Sequence, residues 1–103
     1  ANDVRVIEVP LRENFVPDLA GITSAANAKL LFVCSPNNPT GNQLPREVVW
    51  ELTRRFPGII VVDEAYVDFA PGESVATLID SCDRMVVLRT LSKAWGLAGA
   101  RLG

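Results

Sequence analysis

The sequence predicts an α/β fold, a mainly parallel sheet with helices on both faces. Three observations carry that expectation. Four short runs rich in Val, Ile and Leu are spread along the chain, helical periodicity fills the gaps between them, and each of the last three runs ends in a polar cluster. Strands alternating with helices build right-handed crossover units, and those units call for parallel pairing and covered faces.

The apolar runs come first. "VRVIEV" (4–9), "KLLFV" (29–33), "GIIVV" (58–62) and "RMVVLR" (84–89) are rich in β-branched residues and too short for helices, so each reads as a strand. Between the second and third lies "PREVVWELTRRF" (45–56). There Val48, Val49, Leu52 and Phe56 form an apolar stripe opposite Arg46, Glu47, Glu51, Arg54 and Arg55, which is an amphipathic helix. Pro45 opens it, as proline suits the first turn. Weaker helical patterns occupy 17–26 and 74–81, the latter with Val75, Leu78 and Ile79 on one side. Trp50 and Trp95 read as core packing.

A chain of 103 residues holds one domain at most and buries a core of modest strength. It is expected to be part of a larger domain, since it starts almost inside a strand and stops at "ARLG" after a run of small residues. An apolar fraction of 49% and a formal charge of −2 fit a soluble globular protein and give no reason to expect nucleic acid or an anionic membrane as a partner. No apolar stretch is long enough to span a bilayer, and no charged-then-apolar leader opens the chain. Cys34 and Cys82 are too few and too far apart for a disulfide framework or a zinc site. Both are expected to be reduced thiols in or near the core, which points to the cytoplasm. Histidine is absent, so Ser-His-Asp and Cys-His nucleophile pairs and histidine metal sites are excluded from these residues. Chemistry here falls to carboxylates, hydroxyls, amides, arginine or lysine, and no metal is expected.

Ligands of an open parallel sheet sit outside the carboxyl ends of its strands. The polar clusters "SPNNPTG", "DEAY" and "TLSK" stand immediately after the second, third and fourth runs, so all three land on that edge. In the first, Pro39 restricts the backbone of Asn38, and Gly41 lets the chain turn. The loop is either a simple turn or a device that aims the Asn38 amide. Asp63 ends a buried strand, where its carboxylate needs a cationic or hydrogen-bonding partner or caps the turn that follows. Glu64 points to the opposite side of an extended chain and is expected to do a different, structural job. Lys93 is flanked by Thr90 and Ser92 and followed by small residues, which leave room for a flat ligand, and Arg101 adds a cation suited to phosphate. A solvated surface lysine is the alternative. Neither "GLAG" nor "SPNNPTG" has dinucleotide-fingerprint or P-loop spacing. An amine, a carboxylate, a phenol (Tyr66), an amide, hydroxyls and a guanidinium together are what a phosphorylated, aldehyde-bearing pyridine needs.

"SPNNPTG", "VVDEAYVDF" and "RTLSKAWGLAGARLG", in this order, resemble the fold-type I aminotransferases dependent on pyridoxal 5'-phosphate, and in particular the histidinol-phosphate aminotransferases. The resemblance covers nearly the whole chain. It implies that residues 1–103 are part of the large, cofactor-binding domain, with an N-terminal segment and a small C-terminal domain lying outside them. It implies that Lys93 forms the internal aldimine, that Asp63 pairs with the pyridinium nitrogen, that Asn38 and Tyr66 bond the ring hydroxyl, and that Thr90, Ser92 and Arg101 hold the phosphate. The catalytic residues it implies are Lys93, Asp63 and Tyr66. Its implied reaction is transfer of the amino group of L-histidinol phosphate to 2-oxoglutarate, in a cytoplasmic homodimer, with further catalytic groups lying outside these residues. Threonine-phosphate decarboxylase and aromatic aminotransferases share the same motifs. Outside enzymes, a phosphate-receiving signalling domain also places acidic residues, a hydroxyl and a lysine after successive parallel strands; Ala94, where that family has proline, speaks against it.

Overall fold

The computed structural model describes residues 3–103. Three strands, β1 (Leu30–Cys34), β2 (Ile59–Asp63) and β3 (Met85–Leu88), form a parallel sheet in the order β1-β2-β3. The register sets Leu30 beside Ile59, and Ile60 beside Met85, so that Cys34, Asp63 and Leu88 end the three strands side by side. The expected α/β class and parallel pairing are what the molecule has.

Two helices and a 3₁₀ helix supply the rest of the core: α1 (Leu19–Ser24), α2 (Arg46–Arg55) and the 3₁₀ helix Val75–Ser81. Pro45 stands at the N-cap of α2, Glu47 lies in its first turn, and Arg54 and Arg55 lie in its last, each charge opposing the helix dipole. Arg55 also pairs with Glu51 one turn back at 2.6 Å. Val49 and Leu52 on its inner face, with Phe56 just beyond its end, are fully buried against Ile60, Val62 and Met85 of the sheet. Trp50 projects from the other side of α2, 37% exposed, so it is not the core residue expected. Its neighbours Val49 and Leu52 already fill the inner stripe, and the helical period turns Trp50 away from it.

The pattern at 74–81 yields 3₁₀ instead of α geometry. Three residues per turn stack Val75 over Leu78 against the core, while Ile79 falls out of line and is exposed. Ser74 caps this helix by accepting the Ala76 N–H at 2.9 Å.

Residues 4–9, expected as a strand, belong to none. Strand propensity supplies no hydrogen-bond partner, and no strand among the described residues pairs with them. Val4 and Val6 are exposed, and Val9 alone of the run packs on the core.

Coverage of the sheet is one-sided among the described residues. Ile22 of α1, Val49 and Leu52 of α2 and Val75 of the 3₁₀ helix join a single cluster with Ile60, Val62 and Met85. On the opposite face Leu30, Phe32, Val86 and Leu88 are exposed. The strand order explains this: two successive crossovers of the same hand, running in one direction across the sheet, put both connections on the same face. The helices expected on both faces are therefore seen on one.

Candidate active site at the strand ends

The loop after β1 is held from within. The Ser35 N–H donates to the Asp63 carbonyl at 2.9 Å, which carries the β1–β2 ladder one step past the strands. The buried Ser35 hydroxyl accepts the Leu44 N–H at 2.9 Å and closes the loop at its base. Higher up, the Asn37 N–H donates to the Asn42 carbonyl at 2.9 Å, and the Gly41 N–H donates to the Asn37 carbonyl at 2.7 Å. Gly41 sits at φ +73°, in the left-handed region where a side chain would be strained. The Asn37 amide donates to the Thr40 hydroxyl at 2.7 Å, and that hydroxyl in turn donates to Asn42. The Ser35–Pro36 and Asn38–Pro39 peptide bonds are cis. All these bonds engage the residues around Asn38 and leave its amide exposed at the loop tip.

After β2 the half-buried Asp63 carboxylate accepts the Ala65 N–H at 2.9 Å, so it does cap the turn. Tyr66 leads into the 3₁₀ turn Val67–Phe69 and is partly buried, its ring 6.4 Å from that of Phe69. Together with Asn38, Pro36 and Gly41, these two rings line a cleft of about 340 Å³.

After β3 the segment from Arg89 to Gly103 folds back on itself. The Ser92 N–H donates to the Thr90 hydroxyl at 3.1 Å. The Leu91 N–H reaches the Leu102 carbonyl at 3.3 Å, and the Leu97 N–H reaches the Leu91 carbonyl at 3.0 Å. Gly96 at φ +65° supports the reversal. Lys93 is exposed, and its Nζ lies 5.3 Å from the centre of the Tyr66 ring, within the range of a cation–π contact. A second cleft, of about 450 Å³, is bordered by Asp68, Arg89, Thr90 and Trp95. Trp95 is 66% exposed there, so the expectation of core packing fails for it as well.

Asn38 and Tyr66 therefore line one cleft, and Lys93 stands beside it over the Tyr66 ring. Thr90 and Ser92 are bonded to one another, and Arg101 is carried toward them by the Leu91–Leu102 bond, with its guanidinium donating to the Ala98 carbonyl at 3.4 Å. Asp63, Ser92, Lys93 and Arg101 border neither cleft. Asn37, whose bonds hold the loop that carries Asn38, had only its place in the turn motif to mark it.

Cys34, expected in or near the core, is exposed at the end of β1, whereas Cys82 is half-buried against the core. The alternation of strand residues explains the exposure of Cys34, which shares the open face with Leu30 and Phe32. What burial it has raises the Cys34 thiol above its ordinary value, and the charge of its register neighbour Asp63 raises it further. Both cysteines are unpaired. Among the described residues no group of three or more His, Cys, Asp or Glu is placed to hold a metal ion, and no helix is long and apolar enough to cross a membrane.

Comparison with known proteins decides the family, because the aminotransferase class I and II family matches residues 1–103 in full. The chain belongs to that family. It is 49% identical over 104 aligned residues to the histidinol-phosphate aminotransferase of Cytophaga hutchinsonii, an alignment that takes in 99% of this chain and 30% of that relative. Among solved structures it superposes on the histidinol-phosphate aminotransferase from Sinorhizobium meliloti in complex with pyridoxal-5'-phosphate with a TM-score of 0.81, at 37% identity over 95% of this chain and 28% of that one. The L-threonine-O-3-phosphate decarboxylase from Porphyromonas gingivalis also superposes, with a TM-score of 0.68 at 32% identity over 75% of this chain and 24% of that one. The chain thus spans about three tenths of the length of the curated relatives it matches. Its fold is part of the fold-type I aminotransferase fold, and the phosphate-receiver alternative is set aside.

Proposed function

We propose that the complete protein uses pyridoxal 5'-phosphate to transfer the amino group of L-histidinol phosphate to 2-oxoglutarate, a step of histidine biosynthesis. The observation that carries the reading is a cleft on the carboxyl edge of the sheet lined by an amide and a phenol, Asn38 and Tyr66, with the Lys93 amine 5.3 Å from the centre of the Tyr66 ring, in a chain of this family. These groups fit the cofactor: an exposed amine for its aldehyde, and hydrogen-bonding groups beside a flat aromatic wall for its ring. When bound, pyridoxal phosphate supplies a ring that draws electron density from the substrate α-carbon. In this assignment Lys93 holds the cofactor's aldehyde carbon and, once released by substrate, moves the proton at the α-carbon. Asp63 would pair with the ring nitrogen and keep it protonated, Asn38 and Tyr66 would bond the ring hydroxyl, and Thr90, Ser92 and Arg101 would hold the phosphate.

Residues 1–103 act in this proposal as part of the large domain, with the remaining substrate-binding groups supplied by the rest of the protein and by the second subunit of a cytoplasmic homodimer. Decarboxylation of threonine phosphate is the second reading, and it is favoured by the likeness to the Porphyromonas enzyme. Both readings use the same cofactor contacts and differ in which bond at the α-carbon is broken.

The test compares kcat/KM of the full-length protein for histidinol phosphate and for aromatic amino acids, with carbon dioxide release from threonine phosphate measured in parallel. A clear preference for histidinol phosphate is expected. Preference for an aromatic amino acid removes the substrate assignment, and decarboxylation replaces it with the second reading.

A further inference from the structure

Glu64 has the most buried carboxylate among the described residues, 1% exposed. Its environment is fully accounted for by three other parts of the chain. Oε1 accepts the Val75 N–H at 2.8 Å, and Oε2 accepts the Ser74 hydroxyl at 2.6 Å. Arg89 completes the set, with both Nε and Nη2 lying 3.2 Å from Oε2. The Glu64 N–H is engaged too, donating to the Leu88 carbonyl at 2.9 Å. A buried carboxylate is expensive to desolvate, and apolar groups of similar volume often stabilise such a place as well or better. Stability alone therefore gives a weak reason for a charge here.

Position gives a stronger one. Glu64 directly follows Asp63 at the end of β2, and its partner Arg89 directly precedes Thr90, at the start of the segment that carries Ser92 and Lys93. One carboxylate thus ties together the two strand ends that bear the proposed ring-nitrogen partner and the proposed cofactor-binding amine, and anchors both to the cap of the 3₁₀ helix. Arg89 is half-exposed, so its charge does not need Glu64 for solvation.

We propose that Glu64, acting through Arg89, is a positioning residue that sets the reach between the Asp63 carboxylate and the Thr90–Lys93 segment. The proposal rests on the functional reading above. Glu64→Gln keeps an oxygen for the Val75 N–H but loses the charge that Arg89 answers, while Arg89→Met removes the other half of the pair from a solvent-open side and spares the buried bonds.

The experiment uses the full-length protein loaded with pyridoxal phosphate, as wild type, Glu64→Gln, Arg89→Met and the double variant. Each is measured for kcat, KM, thermal midpoint and the visible circular dichroism of the bound cofactor, which reports how rigidly the ring is held. Each single variant is expected to lose about 10-fold or more in kcat with KM changed by less than about 3-fold, the split that marks an interaction used in the transition state. Visible dichroism should weaken in both, and the double variant should be no worse than the poorer single one, as for two residues acting as a unit. A lowered thermal midpoint with kcat and dichroism unchanged would mean that the pair only stabilises the fold, and the proposal would be wrong. Additive losses would overturn it as well, since Glu64 would then not act through Arg89. Wild-type protein that shows no cofactor band overturns the functional reading and this inference with it, whereas a wild-type band with unaltered variants overturns this inference alone.

Discussion

Asp63 carries one observed role and one proposed role. Its carboxylate caps the turn through the Ala65 N–H, an interaction that a neutral amide oxygen could also accept, whereas the proposed pairing with a protonated ring nitrogen requires charge. Asp63→Asn in the full-length protein is therefore expected to keep its thermal midpoint within a few degrees while turnover falls about 100-fold, the equivalent of roughly two pK units of lost ring basicity. Near-normal turnover would leave Asp63 as a cap and nothing more. The same charge is felt by Cys34, its neighbour across the β1–β2 register. Burial is the larger cause of the raised Cys34 thiol and Asp63 the smaller, and a negative neighbour opposes formation of the thiolate. In a Cys82→Ser background, Asp63→Asn should thus shift the pH midpoint of Cys34 alkylation downward, yet not as far as that of an unperturbed cysteine. An unchanged midpoint would show that the charge is not sensed at the sulfur. Lys93 offers the most direct check of all: borohydride reduction of the loaded protein should label Lys93, with no label on Lys29, which stands ahead of β1 on the far side of the sheet from the cleft.

At the scale of elements, the close approach between the start of β2 and the residue ahead of β1 sets a steric limit. A Cβ on Gly58 would stand 2.4 Å from the Lys29 carbonyl oxygen and 2.8 Å from the Phe56 ring, and that carbonyl also accepts the Ile59 N–H at 3.0 Å. Neither neighbour can retreat freely, one being backbone in a ladder and the other a fully buried core ring. Gly58→Ala should destabilise the protein by about 1–3 kcal/mol, the usual cost of overpacking, with the loss visible as a lower denaturation midpoint and unchanged cofactor affinity. Which elements could be read from the residues alone follows from where their stabilisation originates. β1, β2, β3 and α2 are announced by local patterns, the apolar runs and the stripe of Val49, Leu52 and Phe56, and each formed within a residue or two of its expected bounds. The run at 4–9 has the same local pattern but lacks a partner strand, which no local pattern encodes. Trp50 and Trp95 misled because size suggests burial, while the face of a helix or the emptiness of a glycine- and alanine-rich loop decides it. The gathering of Asn38, Tyr66 and Lys93 at one edge was legible because parallel strands deliver their ends there. The partners of Glu64 were not, for Ser74 and Arg89 lie 10 and 25 residues away and are brought to it only by the fold.

The molecule as a whole has a covered face and an uncovered one. On the covered face the sheet, α1, α2 and the 3₁₀ helix share a continuous core, whereas the opposite face exposes Leu30 and Phe32 on β1, Ile59 on β2, and Val86 and Leu88 on β3. The outer edges of β1 and β3 are also unpaired among the described residues. Apolar area left in water gives no return on the conformational entropy lost when the strands are fixed, and open strand edges invite association with other chains. A polypeptide of these 103 residues made on its own is therefore expected to hold its structure weakly. It should bind a hydrophobic dye, exchange the amide protons of β1 and β3 within minutes, and show no saturable uptake of pyridoxal phosphate. The same strands inside the complete protein should be protected from exchange for far longer, because the rest of the chain and the second subunit of the proposed dimer are then available to cover them. A sharp, cooperative unfolding transition of the isolated polypeptide together with tight cofactor binding would show that one covered face is enough, and that the cleft at Asn38 and Tyr66, with Lys93 beside it, needs nothing beyond these residues to hold its ligand.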